Sequence, residues 1–243
     1  MGHETAERAS ALGLDERDRA AYDELRTGFT AAVSHELRTP LARLLALLES
    51  MLLPGAQQEQ LVEQARVEVE HARELIDDIL FLSELESGAT DVSVDSTPAV
   101  PLVRTVLERL EESAARAGVA LRAEGDDHVE LPVRARMLRV IVENLAENAI
   151  RHAGPGATFT LAAAQENGTL VLSAADDGTG VSEQDLPRLF ERFYRGDRAR
   201  ASRGSGLGLS IVKHIVASAG GQVQASGQRG RGLEIRCTFP AVE

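Results

Sequence analysis

The sequence predicts two folds in series: an all-α helical hairpin, followed by an α+β sandwich. Three observations carry this reading. Apolar residues recur at helical steps through two long stretches before residue 90. Beyond residue 90, short alternating runs are interleaved with three apolar helical patterns, the mark of a layered sheet-and-helix domain. Between the stretches stand the Gly- and Pro-rich breaks that a change of element requires.

From about Arg17 to Leu53, apolar side chains fall at Leu25, Phe29, Val33, Leu37, Leu41, Leu44, Leu48 and Met51. Steps of three and four describe an amphipathic helix with a coiled-coil-like seam. Pro40 removes one intrahelical bond and is expected to bend it. Pro54-Gly55 ends the pattern, which resumes through Leu61, Ala65, Val69, Ala72, Ile76, Ile79 and Leu82 to Ser87-Gly88. Two helices of roughly 30–35 residues each span about 45–50 Å. A lone hairpin cannot bury both sides of its apolar stripe, so a homodimer forming a four-helix bundle is expected.

The second half opens with a short strand at Val92 and Val94, and Pro98 and Pro101 introduce a helix to about Ala117. Val119–Leu121 and Val129–Leu131 read as strands, followed by an apolar helix from about Ala135 to Ile150. Thr158–Ala164 and Leu170–Ala174 form a hairpin across Glu166-Asn167-Gly168. A helix from about Leu207 to Ala219 and strands at Gln222–Ala225 and Leu233–Phe239, joined by the turn Gly227–Gly232, complete an antiparallel sheet covered by helices. The domain organisation is therefore 1–16 unassigned or an expression remnant, 17–89 the hairpin, 90–96 a linker and 97–243 the sandwich.

Composition narrows the class. The 243 residues carry a formal charge of −12, which counts against a nucleic-acid partner. Hydrophobic residues at 43% and charged residues at 26% are ordinary globular usage. The single cysteine, Cys237, excludes an intramolecular disulfide. No apolar run approaches the ~18 residues of a membrane span and no signal peptide is seen, so a soluble, cytoplasmic polypeptide without membrane contact is expected.

The first chemical signal is Ser34-His35-Glu36-Leu37-Arg38-Thr39-Pro40-Leu41, on the first long helix. An imidazole is a competent nucleophile when one nitrogen is held protonated and the other left bare, and the adjacent Glu36 can hold that tautomer or accept the proton. Thr39 lies one turn from His35 on the same face. An isolated His-Glu pair is most often a solvated face, but this complete string resembles, residue for residue, the phosphoacceptor box of sensor histidine kinases of two-component systems.

Further segments resemble the ATP-binding boxes of that family, in its order. Asn144 to Arg151 is similar to the asparagine box: Asn144 and Asn148 share a face, an amide oxygen suits Mg²⁺, and Arg151 can reach phosphate. Asp176-Asp177-Gly178-Thr179-Gly180 resembles the first glycine box, with Asp176 as acceptor for the adenine amino group and Gly178 and Gly180 admitting the base. Gly204-Ser205-Gly206-Leu207-Gly208 resembles the second, a phosphate site at a helix N-terminus. Leu189 to Arg195 resembles the phenylalanine box, and the segment up to Ser205 the ATP lid, where Arg195 matches the contact to the transferring phosphoryl group. Val133-Arg134 replaces the usual Gly-Asp before the asparagine-box helix, which weakens its expected cap.

The resemblance spans about residues 20 to 240 and implies a dimerisation and phosphotransfer hairpin joined to an ATP-binding domain of the GHKL type. It implies that ATP and Mg²⁺, the latter on Asn148, serve to phosphorylate His35, with Glu36 as base or orienting group. It implies relay to an aspartate of a response regulator receiver domain, and phosphatase activity through Thr39. The chain would be the cytoplasmic portion of a membrane-anchored sensor. Two alternatives are a GHKL ATPase of the gyrase, chaperone or mismatch-repair type, and a phosphatase-biased or non-catalytic dimeric signalling module.

Overall fold

The computed structural model describes residues 16–55, 57–87, 95–196 and 204–241, with side chains from residue 30 onward. The expected strand at Val92 and Val94 lies outside the described residues. The chain divides into two compact units, one ending at Ile76 and the other running from Asp77.

In the first unit, α1 (Glu16–Met51) is one continuous helix that passes through Pro40. Proline has no N–H, so the Glu36 carbonyl loses its helical donor at that point. The helix ends in tightened i→i+3 bonds, Leu52 N–H to the Glu49 carbonyl and Leu53 N–H to the Ser50 carbonyl. α2 (Gln58–Glu86) then runs on past the end of this unit. Leu41, Leu45, Leu48 and Leu52 leave about half or more of their surface in solvent, as do Val62, Val69 and Ile76 and, past the end of this unit, Leu80. Both sets fall at three-, four- and seven-residue steps, which is the seam spacing of packed helices.

The second unit begins with the last turns of α2, where Leu82 and Leu85 are buried. It continues with β1 (Thr97–Pro98), α3 (Ala99–Ala117), β2 (Ala120–Gly125), β3 (Glu130–Leu131) and α4 (Ala135–His152). β4 (Thr158–Glu166), β5 (Thr169–Asp176), α5 (Gly208–Ser218), β6 (Gln222–Gly227) and β7 (Leu233–Phe239) follow. Five strands form one sheet in the order β2-β4-β5-β7-β6, and β1 pairs with β3 apart from it.

The sheet is mixed, which corrects the antiparallel expectation. β4, β5, β7 and β6 pair antiparallel, but β2 lies parallel to β4, Ala120 facing Thr158. A parallel neighbour needs a long crossover, and residues 126–157, which include α4, supply it. The β4–β5 turn follows its sequence signal. Asn167 and Gly168 have φ of 49° and 81°, the pair of positive dihedrals a two-residue hairpin turn needs.

β4 and β7 bury alternate residues, whereas β5 buries Leu170, Val171 and Leu172 in succession. Leu161, Leu172, Ile235, Cys237 and Phe239 face inward from the sheet, while Leu138, Ile141, Leu145, Ile211 and Ile215 meet them from α4 and α5. Each such side chain contributes roughly 1.5–3 kcal/mol relative to exposure. That is why α4 forms although its N-cap position, Arg134, makes no side-chain capping bond. The departure noted at Val133-Arg134 removes a device worth about 1 kcal/mol, against seven buried apolar residues on the same helix.

Cys237 sits wholly inside β7, and burial pushes its thiol up to about 12. A thiol reagent at pH 8 should therefore leave the native chain unlabelled over a time in which the urea-unfolded chain reacts fully. Native labelling at the rate of a free thiol would place Cys237 outside the core.

Candidate functional site

His35 stands on α1 with about three-quarters of its side chain in solvent (76%), so its reactivity is not blocked by packing. Its Nδ1 lies 3.5 Å from Glu36 Oε1, which turns Nε2 away from the carboxylate. Thr39 is exposed one turn on, and its hydroxyl donates to the His35 carbonyl at 3.4 Å. The sequence anticipated the shared face of His35 and Thr39. It did not anticipate that the hydroxyl is engaged with backbone.

The second cluster lies in the unit running from Asp77 and is organised by α4. Asn144, Asn148 and Arg151 follow one another by a turn along the edge of its buried face. Their amides behave differently. Asn144 Nδ2 donates to the Val140 carbonyl at 2.9 Å, and its Oδ1 presses on Gly208, where a Cβ would overlap it. Asn144 therefore joins α4 to the first turn of α5. Asn148 is half-buried, and no described residue hydrogen-bonds its amide, so its oxygen remains available to a hard cation. Arg151 donates from Nη2 to Glu147 Oε2 at 2.8 Å while Nη1 lies against Gly204, which brings its charge to the second glycine box.

That box is shaped by close approach. Gly206 has φ of +70°, and a Cβ there would come within 2.8 Å of the Phe193 carbonyl carbon. Its carbonyl accepts the Phe193 N–H at 2.9 Å, and Phe193 itself is held at φ of +61°. A bulky residue in the left-handed region costs of order 1–3 kcal/mol, so strain is stored where residues 193 and 206 close the lid segment. Leu207 is fully buried, and its N–H donates to Ser205 Oγ at 3.1 Å just ahead of α5. Arg198, Arg200 and Arg203 of the lid lie outside the described residues.

Asp176 ends β5 and accepts the Gly178 N–H at 2.9 Å. Burial raises its carboxyl above the usual range, opposed by the Gly178 and Leu233 N–H groups and reinforced by Asp177. Gly178 passes so close to Ala153 that a Cβ would overlap that carbonyl, and Gly180 is packed equally tightly on Gln228. The Thr179 hydroxyl donates to the His152 carbonyl at 2.8 Å and ties the first glycine box to the end of α4. Burial, with the charges of Arg151 and Arg195, holds the His152 imidazole below its usual range. Arg195 is thereby brought within electrostatic reach of the α4 C-terminus. Beside it, the Tyr194 hydroxyl donates to Asp185 Oδ1 at 2.7 Å, and Arg188 stacks 4.2 Å over its ring. The sequence reading singled out neither Asp185 nor Arg188, because no local spacing links them to Tyr194.

A half-buried carboxylate, an amide oxygen with no hydrogen-bond partner among the described residues, an arginine and the start of α5 thus line one rim. Such a rim can accept an amino group at one end and polyanionic oxygens at the other. Among the described residues there is no group of three or more His, Cys, Asp or Glu that could hold a metal, so a cation here would rely on Asn148 and on its anionic ligand.

Two family models match the chain. Residues 25–88 match the His Kinase A (phospho-acceptor) domain. Residues 133–243 match the histidine kinase-, DNA gyrase B-, and HSP90-like ATPase. The chain is 29% identical over 238 residues to the sensor-like histidine kinase SenX3 of Mycobacterium tuberculosis, covering 94% of this chain and 57% of that protein. It is 34% identical over 221 residues to the signal transduction histidine-protein kinase BaeS of Escherichia coli, covering 89% and 47%. The crystal structure of full-length ShkA in complex with AMPPNP matches with a TM-score of 0.65 at 30% identity, over 86% of this chain and 45% of that one. The chain spans about half the length of the curated relatives it matches.

Asp176 carries a stability consequence with a definite sign. Its raised carboxyl binds a proton more readily folded than unfolded, so the folded state gains as pH falls through that pKa and pays for the buried charge above it. Asp176→Asn keeps an acceptor for Gly178 and removes the charge. Its melting temperature should exceed that of the parent chain by about 1–3 °C at pH 8, with the gain shrinking toward pH 4. A loss of stability at pH 8 would mean that the carboxylate is held by more than burial and two N–H groups.

Proposed function

Because the chain belongs to the sensor histidine kinases of two-component systems, we propose that it transfers the γ-phosphoryl group of ATP to His35 and relays it to an aspartate of a response regulator. The observation that carries this is the exposed His35 paired with Glu36 inside a complete phosphoacceptor box. Glu36 holds the proton on Nδ1, so the Nε2 lone pair attacks phosphorus. The new N–P bond forms as the bond to the ADP oxygen breaks, with the geometry supplied by positioning and charge.

Asp176 accepts the adenine amino group, and the two glycine boxes let base and phosphates lie against backbone. Arg151 and Arg195 meet the phosphates. Asn148 holds Mg²⁺, which when bound neutralises triphosphate charge. Asn144 occupies the place where ATPases of the gyrase type carry a water-activating glutamate. A neutral amide bonded to the Val140 carbonyl is no base, which favours transfer to histidine over hydrolysis.

The exposed heptad-spaced leucines of α1 and apolar residues of α2 support a homodimer in which a second copy completes a four-helix bundle. The regulator's receiver domain docks on that bundle. Among the described residues no helix is long and apolar enough to cross a membrane. This region works as the cytoplasmic part of a longer, membrane-anchored sensor. Thr39 orients the water that removes phosphate from the regulator, once its hydroxyl leaves the His35 carbonyl.

Incubation with γ-labelled ATP and Mg²⁺ should give an acid-labile, alkali-stable label that His35→Gln abolishes without altering nucleotide affinity. Label persisting on that variant would move the acceptor elsewhere. Thr39→Ala should autophosphorylate at the parental rate and lengthen the lifetime of the phosphorylated regulator about tenfold or more. Equal lifetimes with the two proteins would remove Thr39 from the phosphatase role.

A further inference from the structure

The last turns of α2 present one face made of Asp78, Phe81, Leu82, Leu85 and Glu86, at steps of three and four. Within the unit running from Asp77, this face meets the lid segment at both of its ends. Glu86 pairs with Arg192, the residue before Phe193. Asp78 Oδ2 accepts the Ser205 hydroxyl at 2.7 Å. Between them Leu82 and Leu85 are buried, and Arg136 of α4 lies 5.9 Å over the Phe81 ring.

Ser205 stands where a phosphate would be received. Its Oγ already accepts the Leu207 N–H at 3.1 Å, and the positive end of α5 and the Arg151 guanidinium lie beside it. A hydroxyl has one proton to donate. While that proton goes to Asp78 it cannot go to a phosphate oxygen.

We propose that Asp78 sets the nucleotide affinity of this chain by competing with the phosphates for Ser205. The inference rests on the reading of residues 204–208 as the phosphate site. In the arrangement described here the corner is satisfied by an internal anion, and nucleotide binding requires the Ser205 proton to be released from Asp78. A signal that shifts the end of α2 would thereby change ATP affinity without touching the adenine end of the site.

The test is titration calorimetry of Mg²⁺-AMPPNP against the whole chain, comparing the parent with Asp78→Asn, Asp78→Ser and Glu84→Gln. The first two remove the competing charge with different side chains, so either suffices where the other fails to fold. Both should bind about three- to tenfold more tightly than the parent. Glu84→Gln removes the same charge from an exposed position on the same helix and should leave affinity unchanged. Unchanged or weaker binding by both Asp78 variants, with normal binding by the parent, overturns this inference alone. So does an equal gain from Glu84→Gln, which would make the effect one of net charge. Absence of binding by the parent and every variant overturns the phosphate-site reading together with it.

Discussion

Helix α4 can bury only one face, and the rest of the ATP-binding half is arranged around that limit. Met137, Leu138, Ile141, Val142, Leu145, Ala146 and Ala149 cover about half of its circumference and are all buried. Asn144, Asn148 and Arg151 fall together at one edge of that arc, since steps of four and three advance little around a helix. The apolar face presses the helix onto the sheet, and the same rotation delivers an amide, a second amide and a guanidinium to the rim. The core and the site are consequently one decision. An apolar residue turned into that rim, or a polar one turned into the core, would cost both.

The neighbouring segments reach the rim by close backbone approach. Gly178 lies on the Ala153 carbonyl and Gly208 on the Asn144 amide, at distances that leave no room for a side chain. Phe193 is strained at φ of +61°, and its N–H is held by the Gly206 carbonyl. The lid therefore departs from and returns to one pinned point. An overall charge of −12 is compatible with anion binding, because positive charge is concentrated locally. Arg151 lies against Gly204, and Arg195 is near enough to depress His152.

The phosphoacceptor half follows the opposite logic. The proposed phosphotransfer requires an accessible histidine, and His35 is accessible because α1 buries little around it. The cost is an apolar seam left in solvent along both helices. Glu68 Oε2 and His71 Nε2 add two buried polar atoms with no hydrogen-bond partner among the described residues. A hairpin in that condition favours association, so the proposed dimer and an accessible histidine draw on the same surface.

Short-range signals in the sequence were reliable. The two long helices, the shared face of His35 and Thr39, the Asn167-Gly168 turn and the apolar helix α4 all depend on residues within about eight positions of each other, although the exposed seam is shifted to Leu45, Leu52, Val62 and Leu80 where Leu44, Met51, Leu61 and Ile79 were expected. Backbone geometry makes such spacings readable directly. Four features depended on tertiary structure. These are the parallel pairing of β2 with β4, the use of Asn144 as a strut to α5, the Tyr194–Asp185–Arg188 contact and the Asp78–Ser205 bond. The last joins residues 127 positions apart. No periodicity encodes such a pair. It exists because the end of α2, where Leu82 and Leu85 are buried, brings a carboxylate one turn before them to the Ser205 hydroxyl. The sequence by itself determined which groups could do chemistry, because their identity and local spacing are covalent facts. Tertiary structure decided which of them are already occupied, because occupancy depends on what burial brings within 3 Å.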